Sequence, residues 1–291
     1  MVDHDVIASD GRTLKVLEDG DPSGQPVLVH NGTPNSRMMF APDVELAARQ
    51  GIRLISYDRP GYGGSTHQPN RTIADCAQDV RAIAGALGID RVAVWGISGG
   101  GPHALACAAL LPDLVPAVAS LASIAPWGAP GLDYFAGMGE LNVEDIQLTI
   151  DDPPAGRAKC ERDRLEMLAL TAEDLMDFLQ TLLSPPDAAV LTGELGDYLV
   201  GATRSGLAPG SDGWWADNLA LNSPWGFTLD AIRTPVLLRH GREDRFVPFG
   251  HGEWLANHIP GVEAVLTDND GHLTLTANHL AATHDWLLSH L

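Results

Sequence analysis

The stretch RVAVWGISGGGPHALACAAL, Arg91 to Leu110, decides how the rest of the chain is read. Its first part is a run of β-branched and apolar residues, the composition of a buried strand. The run stops at Gly96, one serine follows among glycines, and an alanine-rich segment of helical character begins. Gly96-Ile97-Ser98-Gly99-Gly100 therefore fits G-x-S-x-G in a strand–turn–helix setting, the context that gives the motif mechanical meaning. A serine at so sharp a turn takes a strained backbone conformation. The residues two before and two after it crowd the turn, so both must be very small. The strain lifts the hydroxyl clear of the sheet edge, and the next helix aims its N-terminus where negative charge would develop.

Outward from this stretch the chain alternates. QPVLVH and IRLISYD read as strands buried on both faces, as in a parallel sheet. VPAVASLASI, IRTPVLLRHG and VEAVLTD add three more, and VIAS and TLKVLED around DGR read as a hairpin. Between them lie helical segments: about Ser36 to Gln50, TIADCAQDVRAIAGALG capped by Thr72 and closed by Gly88, GHGEWLANHIPG, and a terminal helix in HLTLTANHLAATHDWLLSHL. The alternation predicts an α/β fold with a mostly parallel central sheet flanked by helices. From Trp127 to about Asp230 there is no strand, only acid-rich helical segments broken by Pro and Gly. The expected organisation is a core of residues 1–126 and 231–291 with a helical cap of residues 127–230 inserted in it.

Composition removes several function classes. With 38 Asp and Glu against 18 Lys and Arg, the 291-residue chain carries a net charge of −20. That opposes nucleic acid or an anionic membrane as partner, because both demand clustered cations. It is compatible with plain solubility, and also with a pocket that favours cationic substrates. Cys76, Cys107 and Cys160 form no C-x-x-C pair, which fits a reducing cytoplasm and offers no disulfide framework. The acidic N-terminus is not a signal peptide, and no run of eighteen apolar residues exists to span a membrane. The expectation is a cytoplasmic protein acting on a small molecule. GISGGG lacks dinucleotide-binding spacing, and His30, His103 and His240 share no ligand-like spacing, so neither a cofactor nor a metal is expected.

A serine hydroxyl is a weak nucleophile without a base, and the base needs an orienting carboxylate. Asp244, in HGREDRFVP, follows a buried strand at the end where catalytic groups gather in α/β sheets. Its neighbour Glu243 is the alternative acid. His272, in DNDGHLTL, follows the last strand directly, in a loop freed by Gly271. Two backbone N–H groups are needed for the oxyanion: that of Gly99, after the serine, and one from the loop His30-Asn31-Gly32-Thr33-Pro34. Gly32 permits an unusual turn there and Pro34 holds Thr33 extended, which makes Thr33 the candidate.

NGTP, SYDRPGYGGS, GISGGG, HGREDRFVP and DGHLTL, in this order, resemble the α/β-hydrolase superfamily over nearly the whole chain. Within it the chain is similar to the capped esterase and proline iminopeptidase-like branch. The resemblance implies Ser98 as nucleophile, His272 as general base and acid, Asp244 as orienting acid, and Thr33 and Gly99 as oxyanion donors, with no cofactor. It also implies that Asp58 and Arg59 brace a loop. Two departures stand out: Asn31-Gly32 replaces the family's usual His-Gly, and Gly99 follows the serine where prolyl aminopeptidases carry Trp.

The expected activity is carboxylic-ester hydrolysis of a partly apolar substrate. Aminopeptidase, perhydrolase and carbon–carbon bond hydrolase readings use the same triad, and a non-catalytic ligand-binding protein could use the same scaffold. A serine nucleophile argues against epoxide and haloalkane hydrolysis, which need a carboxylate there. Trp127, Phe135, Met138, Trp214, Trp215 and Trp225 are the candidate apolar pocket walls, and the cap's acids are read mostly as a solvated face.

Overall fold

The computed structural model describes residues 1–191 and 193–291. Eight strands form one sheet: β1 (Val2–Ile7), β2 (Thr13–Gly20), β3 (Gln25–His30), β4 (Ile52–Tyr57), β5 (Ala93–Ile97), β6 (Val118–Leu121), β7 (Val236–Gly241) and β8 (Glu263–Thr267). Their order is β1-β2-β4-β3-β5-β6-β7-β8. The β1–β2 and β2–β4 pairs are antiparallel, and every later pair is parallel. The first hairpin turns at Asp10-Gly11, where Gly11 takes φ +86°. A two-residue shift separates expectation from structure: β1 ends at Ile7, because Ala8 leaves the ladder to bond the carbonyl of Arg12 across the turn.

Five helices accompany the sheet: α1 (Ala41–Arg49), α2 (Cys76–Leu87), α3 (Gly101–Leu110), α10 (Phe249–His258) and α11 (Thr274–Leu288). Side chains alternate across each strand. Val27, Val29, Ala93 and Leu237 pack toward Ala47 of α1 and Leu280 and Leu287 of α11. Leu28, Val94, Val118 and Leu238 pack the opposite way, toward Val80 of α2, Leu105 of α3 and Leu255 of α10. Each such side chain, taken fully from water, contributes about 1.5–3 kcal/mol. Two helices begin later than the sequence suggests. Helix α1 starts at Ala41, where Pro42 suits its first turn. Helix α2 is entered through a 3₁₀ turn at Ile73–Asp75, with Thr72 and Asp75 in a reciprocal capping box. Gly88 ends α2 in the left-handed conformation, φ 66°.

Between β6 and β7 the described residues contain helices only: α4 (Glu140–Asp151), α5 (Pro153–Ala169), α6 (Ala172–Phe178), α7 (Pro185–Val190), α8 (Gly193–Leu207) and α9 (Asp212–Leu221). Helix α5 packs on α4 and α8, and α6 on α8. Residues of this insertion and of the loops past β3 and β5 enclose one cavity of about 310 Å³. No described helix is long and apolar enough to cross a membrane.

Candidate active site

Strands β3 and β5 are neighbours, with His30 opposite Gly96. From β3 the chain goes to β4 on one side, and from β5 to β6 on the other. At such a reversal the following loops diverge and leave a crevice at the strands' C-terminal ends. Thr33 lies three residues past His30 and Ser98 two past Gly96, so topology alone delivers both to one place.

Ser98 has φ +56°, a strained value for a residue with a side chain. The crowding around it is direct. A Cβ on Gly96 would press on the Gly100 carbonyl and stand 3.1 Å from the Ala104 Cβ. A Cβ on Gly99 would strike the Thr33 hydroxyl and stand 3.1 Å from the Thr33 Cβ. The loop after β3 is thus packed on the serine turn. His103 fixes the turn from behind, its Nδ1 lying 2.8 Å from the Gly99 carbonyl. Burial, reinforced by the Arg59 charge, pushes the His103 imidazole down to about 3. It is neutral, and since a carbonyl only accepts, the proton sits on Nδ1.

Asp244 is buried just past β7. Its Oδ1 accepts the backbone N–H groups of Phe246 (2.9 Å) and Val247 (2.8 Å). Its Oδ2 faces His272 Nδ1 at 2.8 Å. Glu243, the alternative acid, is exposed. The contact with Asp244 places the proton of neutral His272 on Nδ1 and leaves Nε2 free to accept one. The Phe246 ring stacks on the imidazole, centroids 4.5 Å apart. Burial disfavours the charged imidazolium, but Asp244, by charge and hydrogen bond, and then Asp187 outweigh it and lift His272 above its ordinary pKa.

Two aspartates of the helical insertion reach this machinery, and sequence reasoning missed both by treating the acids there as a solvated face. Asp187, at the start of α7, is wholly buried. Its Oδ2 accepts the backbone N–H of His272 at 2.8 Å, and its Oδ1 those of Leu273 (2.7 Å) and Thr274 (3.3 Å). Gly271 is required by this carboxylate, which a Cβ would strike. Asp217 of α9 is also wholly buried. Its Oδ2 accepts from Arg59 (2.7 Å), Tyr62 (2.8 Å) and the Thr33 hydroxyl (2.9 Å), and its Oδ1 from Arg71 (2.6 Å). Arg59 also donates to the Asn31 carbonyl and the Thr33 hydroxyl. Burial resists the charge on Asp217, but Arg59 and Arg71 hold its carboxyl far below the usual range. Asp58 braces the neighbouring turn, bonding the Arg37 backbone (2.6 Å) and guanidinium (2.6 Å) and the Gly64 N–H (3.1 Å). The signal for these aspartates is a lone acid between apolar neighbours on a helix, Pro-Asp-Ala-Ala and Trp-Ala-Asp-Asn-Leu.

Ser98, Gly99, Thr33 and His272 all line the cavity. Of the aromatic and Met candidates, only Trp214 does. Trp127, Phe135 and Met138 belong to the first crossing after β6, which folds onto α10: the Trp254 indole donates to the Pro130 carbonyl (3.0 Å), and His251 meets the Tyr134 carbonyl (2.8 Å). Trp127 leans on Tyr134 and is 37% exposed, while Met138 is core. Trp215 packs beside Tyr62 and Leu207, and Trp225 packs under α9 with its indole on the Leu221 carbonyl. The walls come instead from Leu141, Ile146, Leu175, Phe178 and Phe246, ordinary apolar positions of amphipathic helices and of the loop past Asp244.

The structure also groups His30 with Cys76 and Cys107, their donor atoms within 4.8 Å of one another. These lie on three separate elements, which spacing along the chain does not reveal. Burial raises the Cys76 thiol well above its ordinary pKa and lowers His30, the protonation states of inert packing groups.

The alpha/beta hydrolase fold family matches residues 25–276. The chain is 27% identical over 252 residues, 86% of its length and 85% of the relative's, to AB hydrolase superfamily protein YisY of Bacillus subtilis. It is 27% identical over 275 residues, 91% of its length and 87% of the relative's, to a 2-hydroxy-6-oxononadienedioate/2-hydroxy-6-oxononatrienedioate hydrolase of Burkholderia vietnamiensis. The esterase RhEst1 of a Rhodococcus species superposes over 100% of both chains with a TM-score of 0.71 at 21% identity, a likeness of fold. With its sheet order, its serine turn at the switch between β3 and β5 and this match over most of its length, the chain belongs to the alpha/beta hydrolase fold family.

Proposed function

We propose that this hydrolase is a cofactor-independent serine carboxylic-ester hydrolase for a small, partly apolar substrate. One observation carries the reading: the Asp244–His272 pair, at 2.8 Å, is joined to a strained Ser98 by a single cavity with mostly apolar walls. Ser98 Oγ attacks the ester carbonyl while His272 Nε2 takes its proton. The backbone N–H groups of Gly99 and Thr33 receive the oxyanion, the Thr33 hydroxyl being already committed to Asp217. Collapse of the tetrahedral adduct breaks the ester C–O bond, and His272 returns the proton to the leaving alkoxide. Water, deprotonated by the same nitrogen, then releases the acid and regenerates Ser98. The helical insertion, residues 127–230, acts as the cap that closes this site from water.

Hydrolysis of an oxo-dienedioate, the reaction in the name of one relative, is disfavoured, and with it the carbon–carbon bond hydrolase reading. Such substrates carry two carboxylates, whereas no described Lys or Arg lines the cavity and Asp43 and Asp145 do.

Purified protein and its Ser98→Ala variant, assayed on acyl esters of increasing chain length, test the reading. Turnover is expected to fall by roughly 10⁴-fold or more in the variant. A serine-directed fluorophosphonate should label Ser98 by mass. Absence of both turnover and label in folded protein overturns the proposal. Because His272 must be unprotonated to act and its pKa is raised, the acid limb of kcat/KM should lie above about 6.5.

A further inference from the structure

Two carboxylates line the cavity, and their situations differ. Asp145 of α4 is paired with Lys159, whose Nζ stands 2.5 Å from it and also meets Asp163. Asp43 of α1 has no Lys, Arg or His partner among the described residues, and burial alone acts on its carboxyl. Its surroundings are aromatic. Phe40, whose carbonyl accepts the Asp43 backbone N–H at 3.0 Å, and Tyr198 of α8 line the same cavity with ring centroids 5.2 Å apart. The Tyr198 hydroxyl is spent on the Met38 carbonyl, at 3.2 Å. That leaves the ring faces, and not the hydroxyl, to act alongside the carboxylate on a bound group.

An acid in the first turn of a helix is ordinary, since the helix dipole favours it. The dipole does not explain why this one is turned onto the wall of a mostly apolar cavity, where burial pushes its carboxyl up to about 7. An unpaired carboxylate beside two aromatic rings is the donor set that holds an ammonium group: the carboxylate supplies charge, and the ring quadrupoles favour a cation that carries little water. The net charge of −20 adds a field that draws cations in and repels anions.

We propose that Asp43, Phe40 and Tyr198 form a subsite for a substituted ammonium group, so that the preferred substrates are carboxylic esters bearing a cation remote from the scissile bond. The inference rests on the ester-hydrolase reading and specifies its substrate class. Contact with Asp43 and the rings, not with Ser98 or His272, sets the preference.

The test compares each cationic ester with its neutral carbon isostere. On the acyl side the pair is p-nitrophenyl 4-(trimethylammonio)butanoate and p-nitrophenyl 5,5-dimethylhexanoate. On the leaving-group side it is butyrylthiocholine and 3,3-dimethylbutyl thiobutyrate. The wild-type chain should favour the cation in at least one pair by about tenfold in kcat/KM, and added salt should shrink that preference. Asp43→Asn should erase the preference while neutral-ester turnover persists, which also shows that the variant is folded. Asp43→Glu should restore part of it. Equal treatment of both members of each pair, or equal losses for both in Asp43→Asn, overturns the subsite and leaves the hydrolase reading standing. No turnover of any ester, with no fluorophosphonate label on Ser98, overturns both.

Discussion

Asp187 and Asp217 are both wholly buried, both carried by the helical insertion, and both seated on a loop of the catalytic core. They are held by opposite means. Asp217 is an ion-pair hub, meeting Arg59 and Arg71 as well as Tyr62 and Thr33. Asp187 meets no cation among the described residues; backbone N–H groups at the start of α11 and the Ser184 hydroxyl (3.0 Å) satisfy it. A charge stabilised by counter-charges ties distant parts of the chain together and leaves them stranded when it goes. A charge stabilised by a helix N-terminus acts locally, on the few residues whose N–H groups it caps. One aspartate therefore holds the architecture of the loop after β3, and the other tunes the loop that carries His272.

Replacing Asp217 should produce the larger effect. Asp217→Asn leaves two buried guanidinium groups short of a charge partner, a loss of about 3–5 kcal/mol in unfolding free energy. Urea or thermal unfolding measures it, and a loss below about 1 kcal/mol would break the contrast. Asp187→Asn should cost only about 1 kcal/mol, the scale of a helix cap. Its signature is in the pH profile: without the Asp187 charge His272 is less easily protonated, so the acid limb of kcat/KM moves to lower pH. Asp217→Asn, assayed at a temperature where it is folded, should leave that limb in place, since Asp217 is not among the charges acting on His272.

Asp43 sharpens the comparison from the other side, being a carboxylate with neither counter-charge nor cap. Asp217, whose carboxyl is depressed, contributes stability that is present above the unfolded value of about 3.9 and is lost only as pH falls through its low folded pKa. Asp43, raised to about 7, does the reverse. Its stabilising contribution is full below about 3.9 and lost as pH rises through about 7. Asp43→Asn should accordingly raise Tm at pH 8 by about 2–4 °C and change it little at pH 4. A variant more stable yet less discriminating would mark the carboxylate as retained for binding.

The three acids also show what can be read along the chain. Ser98, Asp244 and His272 each follow a strand at its C-terminal end, and a strand's end is visible as the close of an apolar run. The sheet's alternation with helices was equally legible, because burial on both faces demands continuous apolar stretches such as QPVLVH and RVAVWGI. Asp217 and Asp43 gave no such sign. Asp43 sits on an amphipathic helix, where composition does not separate a lining acid from a solvated one, and the apolar neighbours of Asp217 hint at burial without naming its distant partners; apolar content alone made the Trp127–Met138 segment look like pocket wall.

What the sequence determined by itself was therefore the fold family, the strand ends and the three residues placed there by strand order. What the tertiary structure decided was which side chains share the cavity, which acids are buried, and what neutralises each. The physical reason is range. Apolar periodicity and turn chemistry act between residues a few positions apart, so they are written locally. The charge state of a buried carboxylate depends on groups as far off in sequence as Arg59 is from Asp217, and only the packed insertion brings those together.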